Sequence, residues 1–196
     1  MAWPMHAPTR LGPRQHVVER PDVNDIDTTI TAAASGIGPA LRPGLYLGIG
    51  AIGAVDEIVF HQLVQWHHFY VHTDRHGQIV SDGLLHLFTL AMLLLGAVLL
   101  WDRRRLIATI PGHRPFVAGI LLGMGGFQLF DGVVNHKLLR LHQIREGVDN
   151  LLPYDLAWNA AALLLLLAGW LVLRTTEKAP LSLPSEREAG RPLGDG

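Results

Sequence analysis

The sequence predicts an all-α fold: a membrane-embedded four-helix bundle made of two repeated two-helix hairpins. Three observations predict it. The 196 residues are 49% hydrophobic and only 17% charged, with a mean hydropathy of +0.26, where soluble domains carry about a quarter charged residues. Four stretches approach the roughly 20 apolar residues that cross a bilayer. The first and third of these share an ungapped pattern at an offset of 75 residues.

The spans run approximately over 41–66, 83–101, 115–136 and 154–173. The second (LFTLAMLLLGAVLLW) and fourth (AALLLLLAGWLVL) have uncharged cores. The first and third carry Asp56, Glu57 and Asp131 toward their C-terminal ends. Such groups must be hidden from lipid by neighbouring helices. Residues 1–40, rich in Pro, Arg, Asp and Thr, and 175–196 read as disordered tails. No apolar run follows the N-terminal charges closely enough for a cleavable signal, so span one is expected to serve as the insertion signal. Repeat 1 covers about 41–101 and repeat 2 about 115–174. Arg103, Arg104, Arg105 and Arg114 lie between spans two and three, Arg42 precedes span one, and Arg174 and Lys178 follow span four. The positive-inside rule then places both termini in the cytoplasm of a multi-pass protein of the cell (inner) membrane. The net charge of −1 points away from nucleic acid. The bilayer is the expected partner, with a homodimer or a membrane metalloprotein as possible protein partners.

Gly44, Gly48, Gly50, Asp56, Val59, His61, Leu63 and His67 align with Gly119, Gly123, Gly125, Asp131, Val134, His136, Leu138 and His142, eight identities in 24 positions. Chance would give about two. At an offset of 73, Asp82 and His86 correspond to Asp155 and Asn159. Each hairpin returns the chain to the same face, so these polar pairs are expected in one layer near the non-cytoplasmic surface. Ionisable residues at such depth face inward and mark function.

The absence of cysteine leaves imidazole and carboxylate as the ligand chemistry. These donors suit zinc, copper(II) or iron. The expected metal ligands are His61, His86 and His136 with Asp56 and Asp131, and His67 and His142 one rung outward. Asp82, Asp155 and Asn159 are expected as supporting polar groups. One feature opposes a single centre: Asp56 and His61 are five apart, roughly 140° around an α-helix, and meet only if the helix bends. His68, His72 and His76 read as loop histidines.

The leading function is transition-metal binding, for metal handling or assembly of another membrane metalloprotein. A second is a metal-dependent hydrolase or oxidoreductase acting on a lipid-soluble substrate, for which Glu57 is the candidate catalytic base. A third is a haem-binding redox bundle with His61 and His136 as axial ligands. A fourth is a cofactor-free structural or proton-relay bundle.

Gly48-x-Gly50-x-x-Gly53 matches a dinucleotide fingerprint but lacks the βαβ context. Gly44-x3-Gly48 and Gly119-x3-Gly123 read instead as small-residue faces for close helix packing. Trp66, Trp101 and Trp158 sit near span ends, as interface anchors do. With GIGAIGAVDEIVFHQLVQWHH, DGLLHLF and FDGVVNHKLLRLHQIR in view, the chain resembles a bacterial family of predicted four-helix membrane proteins of unknown function over roughly residues 42–174. That resemblance implies membrane residence and no particular activity. A weaker likeness is to multi-span zinc-dependent lipid hydrolases; Ser81 precedes Asp82, but no convincing serine partner is evident.

Overall fold

In a computed structural model, residues 23–108 and 110–177 are described, and among them there is no strand. Among the described residues there are four α-helices, α1 (Val23–Val55), α2 (Arg75–Ile107), α3 (Ile110–Phe130) and α4 (Leu152–Glu177). Helices α1 and α3 each continue into a π-helical segment, Asp56–Leu63 and Asp131–Leu138. All four are long and apolar enough to cross a membrane.

Helix α1 begins at Val23, so residues 23–40 of the expected N-terminal tail are helical. Residues 1–22 and 178–196 lie outside the described residues. Helix α2 starts eight residues before the expected span, because the Asp74 carboxylate accepts the Gly77 N–H at 2.8 Å and caps it.

Helices α1 and α3 run side by side in the same direction and form the centre of the protein. Their glycines set the distance. A Cβ on Gly44 would stand 2.2 Å from the Phe116 carbonyl oxygen, and one on Gly48 2.2 Å from that of Ile120. Reciprocally, a Cβ on Gly119 or Gly123 would stand 2.3 Å from the Leu41 or Leu45 carbonyl oxygen. Helix α2 packs antiparallel on α1, where Gly50 faces Leu93 and Gly96 faces Leu47. Helix α4 packs antiparallel on α3, where Gly125 faces Leu166 and Gly169 faces Leu122. These contacts recur between the two halves at offsets of 75 for α1 and α3 and 73 for α2 and α4. One relation does not recur: the backbone of α2 also approaches α3, whereas that of α4 does not approach α1. The outer faces of α2 and α4 expose Leu84, Leu87, Leu94, Leu163, Leu164 and Leu167, as lipid contact requires.

The loops 64–74 and 139–151 close the end of the bundle opposite the α2–α3 connection. They interlock through paired backbone bonds, Val71 N–H to Leu141 O at 3.1 Å and Glu146 N–H to Trp66 O at 2.9 Å. Each loop leaves its π segment through a left-handed residue, Gln65 (φ 50°) and Arg140 (φ 52°).

The glycine seam gives the first prediction. Gly48→Val drives a side chain into a backbone carbonyl that cannot turn away, and should destabilise the protein by about 3 kcal/mol or more. Gly126→Ala, with nothing within 4 Å of its Cβ position, should leave stability unchanged or raise it by up to about 1 kcal/mol. Thermal unfolding in detergent compares the two; equal midpoints would refute the seam.

Candidate metal centre

The two π segments deliver the polar residues. A π turn bonds residue i to i+5, here Val64 N–H to Val59 O and Leu139 N–H to Val134 O. Residues five apart thereby come to one face. Asp56 Oδ2 lies 3.5 Å from His61 Nε2, and Asp131 Oδ2 lies 3.0 Å from His136 Nε2. The π turn thus removes the objection raised by α-helical spacing.

His67 and His142 enter from the loops. The Nδ1–H of His67 donates to the Ile144 carbonyl at 2.8 Å, and the Nδ1–H of His142 donates to the Phe69 carbonyl at 2.8 Å. The donors are 75 residues apart, and so are the acceptors. A carbonyl only accepts, so each Nδ1 carries the hydrogen. In the neutral ring, each Nε2 then presents a lone pair inward. His67 Nε2 sits 3.8 Å from Asp56 Oδ1 and His142 Nε2 3.9 Å from Asp131 Oδ1. His136 and His142 meet Nε2 to Nε2 at 2.8 Å. The His67 and His142 rings stack at 4.6 Å, with His61 edge-on to His67 and His136 edge-on to His142, both at 4.5 Å. Four imidazoles and two carboxylates therefore converge, each at most 4% exposed.

Outside this ring stands Asp82. Its Oδ1 accepts from His61 Nδ1 at 3.1 Å and from the Phe69 N–H at 2.7 Å, and its Oδ2 accepts from His68 Nδ1 at 2.6 Å. Arg75 in turn donates to His68 Nε2 at 2.8 Å. Carboxylates in this position orient a ligating imidazole and raise its basicity. Glu57 Oε2 also approaches His61 Nδ1, at 3.0 Å, while Glu57 Oε1 accepts from Gln62.

Despite these short distances, six buried atoms of the cluster make no aligned hydrogen bond: Asp56 Oδ1, Glu57 Oε2, His61 Nε2, His67 Nε2, Asp131 Oδ2 and His136 Nδ1. Native interiors rarely leave such groups unsatisfied. Three groups have ligand atoms all within 4.8 Å of one another: His67–His136–His142, Asp56–His61–His67 and Glu57–His61–Asp82.

The structure does not gather every residue that the sequence offered. His86, expected as a ligand, belongs to none of these groups; it is exposed on α2, at the wall of a polar cavity. Asp155 is drawn away by Lys137, whose Nζ lies 2.6 Å from its Oδ2, and Asn159 Nδ2 donates to the Asp155 backbone carbonyl. Two contributors were not on the sequence list. Asn135 donates to Asp131 Oδ1 at 2.8 Å, and its i,i+4 spacing was the available signal. His68, expected as a plain loop residue, bonds Asp82; the signal was its spacing of 11 and 7 residues from Glu57 and His61, which puts the three on one helical stripe. Trp158 is buried rather than an interface anchor, with its indole N–H on the Gln128 carbonyl and its ring 5.8 Å from His136.

Two cavities flank the centre. A polar one of about 520 Å³ is lined by Glu57, His61, Gln65, His68, Arg75 and Asp82, among others. An apolar crevice of about 750 Å³ lies between α1 and α4, walled by Phe60, Trp66, Tyr154 and Trp158, with Asp56 and Gln128 its polar groups.

A family model for predicted membrane proteins, DUF2243, matches residues 43–176, and the chain belongs to that family. The matched region contains every residue of the cluster. No curated protein and no solved structure matches the chain.

Burial holds His67 down to about 2, with repulsion from His142 second. Burial also holds His142 down to about 4, against the attraction of Asp131. Both lie outside the membrane-spanning segments. In the unfolded chain, histidine takes a proton near pH 6.5. The unfolded state therefore binds more protons than the native one below that value, and stability falls as pH falls. Chelator-treated protein should lose melting temperature steadily from about pH 6.5 toward pH 4, by up to about 1.4 kcal/mol per pH unit for each histidine. A melting temperature flat across that window would contradict neutral, buried imidazoles.

Proposed function

We propose that this membrane protein binds a divalent transition-metal ion in the His61–His67–His136–His142 centre, for metal handling or for supply to another membrane metalloprotein. One observation carries the reading: His67 and His142 each fix Nδ1 on a carbonyl of the opposite loop and turn an Nε2 lone pair inward, where His67 Nε2 makes no hydrogen bond. Metal-ligating histidines characteristically tie down the other ring nitrogen in this way. Charge supports it as well. Asp56 and Asp131 are both buried, and one divalent cation would balance the two carboxylates. The donor set fits zinc, copper(II) or iron. Such an ion, when bound, supplies Lewis acidity or, for copper and iron, a redox couple.

The residues divide the work. His67 and His142 offer fixed lone pairs, His61 is oriented by Asp82, and Asp56 and Asp131 lend charge. Haem is disfavoured, because the stacked His67 and His142 rings stand edge-on to His61 and His136, in the space a porphyrin would need. We also read the matching contacts of the two halves as the trace of an internal duplication, and the centre as lying near the non-cytoplasmic face with both termini inside. Arg103, Arg104, Arg105 and Arg114, at the far end of the bundle, support that orientation.

Elemental analysis with a visible spectrum, on detergent-purified protein without a histidine tag, tests the proposal. We expect tightly bound zinc, copper or iron, lost in a His67→Ala/His142→Ala double variant. Asp82→Asn should weaken the affinity of the centre about 10- to 100-fold. Folded, colourless and metal-free protein that takes up no added ion would overturn it.

A second reading, metal-dependent chemistry on a lipid-soluble substrate, is favoured by the apolar crevice that ends on Asp56. Its volume of about 750 Å³ lies within the usual range of small-molecule sites. Ala161→Trp, which fills the crevice, should leave the metal content unchanged while removing a lipid-soluble compound from the organic extract of the purified protein. An extract identical to wild type by mass spectrometry would dismiss this second reading.

A further inference from the structure

The first hairpin carries a buried carboxylate, Glu57, that the proposed centre does not use. Glu57 and Asp82 are both buried, at 1% and 9% exposure, and both approach the same nitrogen, His61 Nδ1, at 3.0 and 3.1 Å. That nitrogen has one hydrogen to give, and it is aligned on Asp82. Glu57 Oε2 is left without a hydrogen bond, although it is buried at the level of the membrane-spanning helices. Buried polar atoms are rarely left without a hydrogen bond unless something else compensates them. The second half differs at these positions. Gly132 replaces Glu57 at the offset of 75, and Asp155, the counterpart of Asp82, is neutralised by Lys137. The excess carboxylate is thus specific to one side, and that side is where the polar cavity of about 520 Å³ lies.

We infer that Glu57, Asp82 and His61 Nδ1 form a second divalent-cation site, at the inner wall of the polar cavity, sharing the His61 ring with the central site. The inference rests on the reading that this chain binds a transition metal, and it adds a separate position for a second ion. The three ligand atoms lie within 4.8 Å of one another. Binding displaces the His61 Nδ1 proton to water in the cavity, and the two carboxylates balance the charge of the incoming ion. The ring then offers Nδ1 to the outer ion and Nε2 to the inner one. Gln62, which holds Glu57 Oε1 at 2.9 Å, keeps Oε2 aimed at the site. His68 links Asp82 to Arg75, and the Arg75 guanidinium supplies positive charge on the cavity side. An ion arriving from the water-filled side meets this site before the buried centre, so the outer position serves as its loading point.

The test is stoichiometry. Metal-stripped, untagged full-length protein in detergent is titrated with Co2+, and bound metal is counted after desalting. Wild type should hold two ions, Glu57→Gln one, and His142→Ala one. A single wild-type ion that survives Glu57→Gln would overturn the outer site and leave the central one standing. A single ion lost in Glu57→Gln but kept in His142→Ala would do the reverse. Two ions retained in Glu57→Gln would also overturn the outer site, and none in wild type would overturn both. Should Glu57→Gln fail to fold, titration of the wild-type chain with Cu2+ decides. Two ions across one imidazole ring are magnetically coupled, so the paramagnetic resonance intensity should drop as the second equivalent binds. Intensity growing linearly through two equivalents would overturn the shared-ring site.

Discussion

Everything in this protein depends on how closely two helix backbones approach. Along α1 and α3 the contact at Gly44, Gly48, Gly119 and Gly123 is between main chains, with no room for a single Cβ. In lipid there is no hydrophobic force to drive helices together, so van der Waals contact of this kind must do it. The approach has a chemical consequence at the far end. Because the helices run parallel and in register, their π segments end side by side, and Asp56 and Asp131 come to one centre together with four imidazoles. A wider seam would separate the two carboxylate–imidazole pairs and leave each buried alone.

The π turns do at short range what the seam does at long range. An α-helix would send Asp56 and His61 to different sides; bonding to i+5 brings them to one. The same turn hands the chain to a loop through a left-handed residue, Gln65 or Arg140, and that loop delivers His67 or His142. Each loop then supplies the carbonyl that fixes the other loop's histidine. The centre is thus cross-braced: neither half completes its own site.

Much of this was legible in the sequence, for stated reasons. The leucine-rich cores of α2 and α4 announce membrane helices, and the glycines announce close packing. The offset of 75 residues singles out Asp56, His61, His67 and their counterparts, because chance does not repeat such costly residues inside apolar helices. What escaped depends on backbone detail. The π turn overrides α-helical angles. The carbonyls of Phe69 and Ile144 carry no side-chain signature. His86 follows Asp82 by one helical turn, yet it faces out of the cluster while Asp82 faces in. Lys137 captures Asp155 and so breaks the expected equivalence of the two hairpins.

The cross-bracing bears on how the protein is made. His67 donates to a carbonyl 77 residues later in the chain, and His142 to one 73 residues earlier. Chains emerge from the ribosome N-terminus first, and units fold in that order. When α1 and α2 have entered the bilayer, Asp56, Glu57 and Asp82 are present but Asp131, His136, His142 and the Ile144 carbonyl are not yet synthesised. The first hairpin therefore waits in the membrane with half a centre: His67 lacks the carbonyl that fixes its Nδ1, and Asp56 and His61 lack the matching pair beside them. Biogenesis gains a checkpoint from this arrangement, since a chain truncated after the first hairpin keeps a polar cluster with no second half to cover it, and such instability exposes it to quality-control proteases.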